Sequence, residues 1–452
     1  MTTLAAAFLL PFVQADEAVQ ALKKAVAYYR TTVAVRGGYV YYTSEDLRDR
    51  WGEGRATPDQ IWVQPPGTPA VGLAYLAAWR ATKDPVCLEA AVAAARALVD
   101  GQLESGGWQN HVDFGPAPKH QYRTRKGGRN NNSSFDDGQT QTALRFMMAV
   151  DEALDFKDAA IHEAAQYGLS AVLKAQFPNG AFPQVFRGPA PHHPVVPAKL
   201  PDYDWRTEKR VKEYWDLYTL NDGLAGTLCE TLLEAHRIYK DEKARAALVR
   251  LGEFLILAQM PSPQRGWAQQ YTYEMCPAWA RKFEPPAISG GEGQDAMETL
   301  LAIHRLTGEA RFLEPVKAGL AYYRACLLPD GGLARYYELG TNKPLYMTSD
   351  YRLTNDDRDV PSHYAFKVKS RLDAIEKEMR EGPEVAKPPS ASEVARIVKS
   401  LDAQGRWVST AVAGESLVGQ PKFPPGMRYL SSAVFARNVE SLSAFVAASR
   451  PK

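Results

Sequence analysis

The chain has 452 residues, 45% of them apolar and 23% charged, which is ordinary for a globular protein with a sizeable core. Its 54 basic and 52 acidic residues leave a formal charge of +2. No nucleic acid is therefore expected as partner, since that would call for a broadly basic face, while a small basic cleft for an anion stays possible. Four cysteines, Cys87, Cys229, Cys276 and Cys326, show no C-x-x-C spacing and are too few for a disulfide framework, so buried free thiols are expected.

In chain order, an apolar run from Leu4 to Val13 comes first, followed by small residues in Val13-Gln14-Ala15 where a signal peptidase would read. Residues 1–15 are read as a possible leader and the protein as secreted or periplasmic, although no Lys or Arg precedes the run. No later stretch approaches the roughly 20 apolar residues of a membrane span. Helical stretches then run repeatedly into a Gly-plus-aromatic or Gly-plus-Leu turn: Gly37-Gly38-Tyr39, Gly106-Gly107-Trp108, Gly180-Ala181-Phe182, Gly266-Trp267, Gly331-Gly332-Leu333 and Gly405-Arg406-Trp407. The last residues of successive turns lie 69, 74, 85, 66 and 74 apart. Three turns follow a glutamine, at Gln102, Gln176 and Gln259.

Between turns the pattern predicts helix pairs: 73–79 with 88–102, 142–154 with 159–176, 224–239 with 244–259, and 296–306 with 313–326. Apolar residues recur at i, i+3, i+4 and i+7, as for helices with one buried face. One pair cannot bury its own face, so neighbouring pairs must stack. The expectation is an all-α fold, an α/α toroid of about six helical pairs forming one domain over 16–452, with the loops at one end building a cleft. Residues 187–214 interrupt the regularity as an insertion with His192, His193 and several prolines, and 381–390 reads as a linker before the last pair.

Asp136 and Asp137, in S-S-F-D-D-G-Q-T, precede one helix, and Asn221 and Asp222, in T-L-N-D-G, precede the equivalent helix of a later repeat. Any one such residue reads as a helix cap. Two acidic pairs at one end supply what a hard cation such as calcium needs, six to eight oxygens drawn from separate elements. His111, His120, His192 and His193 lack zinc-site spacing and are read as loop residues.

With these stand A-Q-F-P-N-G-A-F-P-Q-V-F-R at 175–187, P-A-W-A-R-K-F-E-P-P-A-I-S-G-G-E at 277–292 and Y-Y-E-L-G-T-N-K-P-L at 336–345. In this order the segments resemble those of the pectate lyases of polysaccharide lyase family 10: a D-N-G/A-T motif, a Q-x-P-N-G-G-W-P-Q segment, T-F-N-D, P-x-x-A-R-x-(Y/F)-E and F-Y-E/D. The resemblance covers roughly residues 100 to 365. It implies calcium held by Asp136, with Asp137 beside it, and by Asp222, and Arg281 as the base of a β-elimination. The chain departs from the pattern at Asp137, which replaces Asn, at Gly180-Ala181-Phe182, in the 188–214 insertion, and at Gln270-Tyr271-Thr272, which lacks an Asp.

The implied substrate is an acidic, polygalacturonate-like polysaccharide, cleaved by a monomer to 4,5-unsaturated uronides. Arginine is an awkward base because its pKa exceeds about 12, so pairing of Arg281 with Glu284, or a bidentate clamp on substrate, stays open. Arg187, Lys282 and Arg358 are candidates to meet substrate carboxylates, and Trp108 and Trp267 either stack on sugars or plug their turns. Two other functions compete: a glycoside or unsaturated uronyl hydrolase using Asp136 and Asp222, and a catalytically silent carbohydrate-binding protein.

Overall fold

The structure, a computed structural model, describes residues 3–208 and 210–449, with side chains from residue 15 onward. The leader expected over 1–15 therefore lies largely outside the residues whose side chains are described; the backbone from Thr3 already belongs to the first helix. Twelve α-helices are present among the described residues: α1 Thr3–Tyr28, α2 Thr68–Thr82, α3 Pro85–Asp100, α4 Gln139–Ala153, α5 Ala159–Lys174, α6 Leu224–Tyr239, α7 Glu242–Ala258, α8 Gly290–Thr307, α9 Leu313–Ala325, α10 Leu372–Glu381, α11 Ala391–Ser400 and α12 Ser432–Ser449. The strands are two to four residues long and sit in the loops, so the fold is helical as expected, with small antiparallel ribbons the hydrophobic pattern does not announce.

Local chemistry sets the helix ends. Asp84 caps α3 by accepting from the Val86 N–H, and Asp241 caps α7 by accepting from Lys243 and Ala244. Ser289 caps α8, and left-handed Lys83, Lys240 and Gly308 stop α2, α6 and α8. Six of the eight predicted helices match to within a turn at both ends, but α2 and α8 begin about five residues earlier than expected. Glycines are the reason. A Cβ on Gly72 would lie 2.2 Å from the Phe146 ring, and one on Gly293 would lie 1.8 Å from the Tyr323 hydroxyl. These helix starts carry glycine for close packing, which reads as a loop in sequence.

The chain forms two compact units. The first comprises 1–133, 139–169 and 386–452. Within it α2 packs on α3 and α4, and α12 packs on α1 and α2. Strand Tyr42–Ser44 runs between Arg50–Trp51 and Arg428–Ser431, over a cluster of Tyr41, Tyr42, Trp62 and Tyr429. The second comprises 134–138 and 170–385; α6 packs on α7 and α8, α8 on α9, and α10 on both α8 and α9. The segment read as a linker joins α10 to α11 without regular structure and contains the boundary between the units.

The turn glutamines form one repeated tie. Gln102 Nε2 donates to the Gly106 carbonyl of its own turn at 2.8 Å and to the Ala164 carbonyl of α5 at 2.9 Å. Gln176 does the same to Gly180 and to Ala247 of α7, and Gln259 to Arg265 and to Pro315 of α9. An arginine closes each side-chain oxygen: Arg123, Arg250 and Arg265 respectively. All four cysteines are free and buried, as expected.

Candidate functional site

Two copies of one tight turn carry the acidic residues. Asp136–Gly138 and Asn221–Gly223 are 3-10 turns packed against each other within the second unit. Asp137 (φ 46°) and Asp222 (φ 53°) both occupy the left-handed region, which aspartate tolerates better than bulkier residues. The first turn is anchored by Phe135, fully buried and stacked on Phe186 at 4.6 Å, and by the Phe135 N–H donating to the Gln184 carbonyl. The second follows strand Tyr218–Thr219, paired with Gln270–Tyr271, and the next N–H, of Leu220, donates to the Gln269 carbonyl.

The outcome is a convergence of charge. Carboxylate oxygens of Asp136, Asp137 and Asp222 lie within 4.8 Å of one another. Asp136 is half-buried, and Asp137 and Asp222 are exposed. Desolvation, then Asp137 and Asp136, push the Asp222 carboxyl up to about 8. Gln184 Nε2 donates to Asp136 at 2.6 Å and Asn221 Nδ2 to Asp222 at 2.6 Å, while the side-chain oxygens of both amides are buried without a hydrogen-bond partner. Three carboxylates make an all-oxygen donor set, and such a set fits a hard divalent cation.

Arg281 belongs to the same unit and couples electrostatically to Asp222. Its guanidinium grips Glu284 with two bonds, Nε at 2.8 Å and Nη2 at 2.5 Å, and its backbone N–H donates to the same carboxylate. Glu284 is 1% exposed and Arg281's side chain 41% exposed, so one face of the guanidinium stays open. Burial pulls the Arg281 pKa down, but the Glu284 hydrogen bonds and charge outweigh it and hold the group above its ordinary value. Burial pushes Glu284 up, and Arg281 more than reverses that. The network continues through the Tyr364 hydroxyl, which donates to Glu284 at 3.0 Å and meets the Tyr336 hydroxyl at 2.8 Å, and Tyr336 donates to Gln269 at 2.6 Å.

The other sequence candidates fall outside this constellation or at its edge. Lys282 lies over the Tyr351 ring at 3.6 Å. Arg187 pairs with Asp216 at 3.3 Å and lines a pocket of about 250 Å³ with Phe186 and Tyr273. Among the described residues Arg358 makes hydrogen bonds only to Asp356, two residues away, and it is mostly in solvent, the arrangement of a solvated local pair. Trp108 is corrected outright. It is 0% exposed, with its indole N–H on the Leu98 carbonyl at 2.9 Å, and Trp267 repeats this on Leu255. Both plug their turns, and neither offers a ring face to a sugar. Trp108→Ala is accordingly expected to cost about 3–5 kcal/mol of stability, seen as a lowered thermal midpoint, with the KM of the remaining folded enzyme unchanged. Three of the four histidines are packed: His111 stacks on Trp62, His193 stacks on Tyr273, and His120 is buried, while His192 is an exposed loop residue as expected.

Gln184, Tyr364 and Tyr214 join the site without having been singled out in the sequence. Gln184 was within reach, since it lies in the quoted F-P-Q-V-F-R segment, whereas nothing in the local pattern marks the two tyrosines.

Comparison with known proteins places this geometry. The pectic acid lyase family matches residues 102–331, just over half of the chain and the part that holds the acidic turns, Arg281, Glu284, Gln184 and Tyr214, but not Tyr336 or Tyr364. No curated protein matches the sequence. Among solved structures, a mutant family 10 polysaccharide lyase from Cellvibrio cellulosa, in complex with trigalacturonic acid, is similar at 18% identity over 69% of this chain and 98% of that one, with a TM-score of 0.48. A cellobiose 2-epimerase from Spirochaeta thermophila is similar at 14% identity over 98% and 99%, TM-score 0.48, and an α-mannanase from Bacteroides thetaiotaomicron at 10% over 97% and 95%, TM-score 0.43. Such likenesses span several chemistries and decide none. On the family match, which runs through the acidic turns and the arginine motif, the chain belongs to the pectic acid lyase family.

Proposed function

We propose that this protein is a calcium-dependent pectate lyase, cleaving polygalacturonate-like acidic polysaccharide by β-elimination to 4,5-unsaturated uronides. The observation that carries the reading is the meeting of three carboxylates within 4.8 Å in the unit that also holds Arg281, inside the family-matched segment. Asp136, Asp137 and Asp222 would hold the cation, with Gln184 and Asn221 behind them. Calcium there would neutralise the uronate C6 carboxylate and make the C5 proton easier to remove. The chain's own part is to place the sugar so that its C5–H meets Arg281, and to keep that guanidinium oriented through Glu284 and Tyr364.

Arg281 has two readings. As base it takes the C5 proton, which requires a neutral guanidine. As clamp it stays cationic and fixes the uronate carboxylate. The tight Glu284 pair is the observation that favours the clamp, because it stabilises the protonated form. Either way Arg281 faces the reacting sugar.

A glycoside hydrolase needs two carboxyl groups flanking the scissile bond, about 5–5.5 Å apart for retention and about 6.5–9.5 Å for inversion. Here all three converge on one point, which favours cation binding over flanking a bond. The test is an assay on polygalacturonate with calcium: the ultraviolet absorbance of an unsaturated uronide should rise with time. New reducing ends without that absorbance would sink the lyase reading in favour of hydrolysis.

A further inference from the structure

The proposed chemistry leaves one atom unattended. When the C4–O bond breaks, the bridging oxygen departs with an electron pair and needs a proton; aspartates that hold calcium are ionised and have none to give, and Arg281 is engaged as base or clamp. Tyr214 ends the 188–214 insertion and opens the 3-10 turn Tyr214–Asp216. Two hydrogen bonds fix it between the arms of the site. Its carbonyl accepts from Gln270 Nε2 at 2.9 Å, and Gln270 pairs with Thr219 on the strand that leads to Asp222. The next carbonyl, of Trp215, accepts from the Gln184 N–H at 2.9 Å, and the Gln184 side chain holds Asp136. The Tyr214 ring packs edge-on against Trp215 at 5.3 Å. The residue is half-buried, and its hydroxyl makes no hydrogen bond among the described residues.

From this placement we infer that Tyr214 is a further catalytic residue of the proposed lyase, donating its phenolic proton to the bridging oxygen as the C4–O bond breaks. A hydroxyl with no protein partner and open to solvent exchanges its water for substrate without breaking a protein hydrogen bond. Electrostatics agree with the placement: burial raises the phenol's pKa, Arg281 lowers it, and Glu284, Asp136 and Asp222 raise it, so the hydroxyl keeps its proton. The step balances. The base removes the C5 proton, and the C5–H electron pair becomes the C4–C5 double bond. The C4–O pair stays on the bridging oxygen, which takes the Tyr214 proton and leaves as the C1 hydroxyl of the departing sugar. The phenolate then regains a proton from water.

The experiment compares wild type with Tyr214→Phe, which keeps the ring contact with Trp215 and removes only the hydroxyl. Two substrates are used: polygalacturonate, and a uronide whose C4 leaving group is fluoride, which departs without a proton. The expected result is a kcat on polymer lowered at least about 100-fold, KM within about twofold, and fluoride release from the second substrate nearly unchanged. Equal losses on both substrates would overturn the inference and make Tyr214 a positioning residue, and an undiminished rate on polymer would overturn it as well. A wild type that yields no unsaturated product from any uronide would instead sink the lyase reading and this inference with it.

Discussion

If Arg281 is the base, Arg281→Lys is expected to lower kcat on polygalacturonate by about 10²- to 10⁴-fold, the range for losing a positioned proton acceptor, while KM changes little. A base acts only in the transition state, so its loss appears in kcat. A clamp acts on bound substrate as well; lysine keeps the charge and loses the fork, so KM should then carry most of the change. Near-normal kcat in the variant would end the base assignment. Glu284→Gln separates the readings a second time. Glu284's hydrogen bonds and charge raise Arg281's affinity for its proton, so removing them lets the guanidine deprotonate at lower pH. If Arg281 is the base, the alkaline rise of activity should move to lower pH in this variant. If it is a clamp, activity should fall at every pH because the guanidinium loses its orientation. The stability loss should stay below the about 3–5 kcal/mol of a broken, fully buried pair, since Arg281 remains 41% exposed.

The second large effect concerns calcium. Chelation is expected to abolish cleavage and added calcium to restore it. Asp222→Asn should weaken the calcium that supports activity by more than the roughly 10- to 100-fold typical of groups standing behind a metal ligand. Above about pH 8, where Asp222 is ionised, the same substitution should raise the thermal midpoint of the calcium-free protein, because it removes one of three crowded like charges. Activity and apo stability thus move in opposite directions, which a plain helix cap would not do: loss of a cap lowers stability. The pH dependence has a definite sign. Asp222's folded pKa of about 8 lies above its ordinary value of 3.8, so the folded state holds this proton more tightly than the unfolded chain. Its contribution is full below about 4 and is lost as pH rises toward and through 8. Calcium-free protein should therefore lose stability over that window, and calcium should protect most on its alkaline side. Full activity in excess chelator would reduce the aspartates to structural turns.

The helix pairs were legible because their apolar residues repeat at helical spacing, and α6 begins and ends where the pattern says. The starts of α2 and α8 were not, because the glycines that allow close approach to Phe146 and Tyr323 are indistinguishable in sequence from loop glycines. Asp136, Asp222 and Arg281 were legible through ordered motifs. Trp108 was ambiguous in principle: a Gly-aromatic turn reads the same whether its ring faces a sugar or seals a helix pair, and only the indole bond to Leu98 decides. Tyr364 and Tyr214 could not be found from local pattern, since they reach Glu284 or the acidic turns through contacts far apart in sequence.

The glutamine ties bear on how such a protein can change. One amide closes a turn and, with the same nitrogen, seizes the helix of the following repeat, so the seam between repeats is set before the chain runs out into its variable loops. The 188–214 segment enters after the Gln176 clasp and ends before α6, so it lengthens the chain outside the clasp, with its Ala190 and Ala198 N–H groups donating to the Lys174 carbonyl of α5 and the Leu257 carbonyl of α7. Loop length on the working side is thereby uncoupled from repeat spacing. New substrate-contacting loops could be grafted between residues 187 and 214 while amide hydrogen exchange in α7, protected by the clasp, stays slow; the same graft placed between Gln176 and Gly180 would open it.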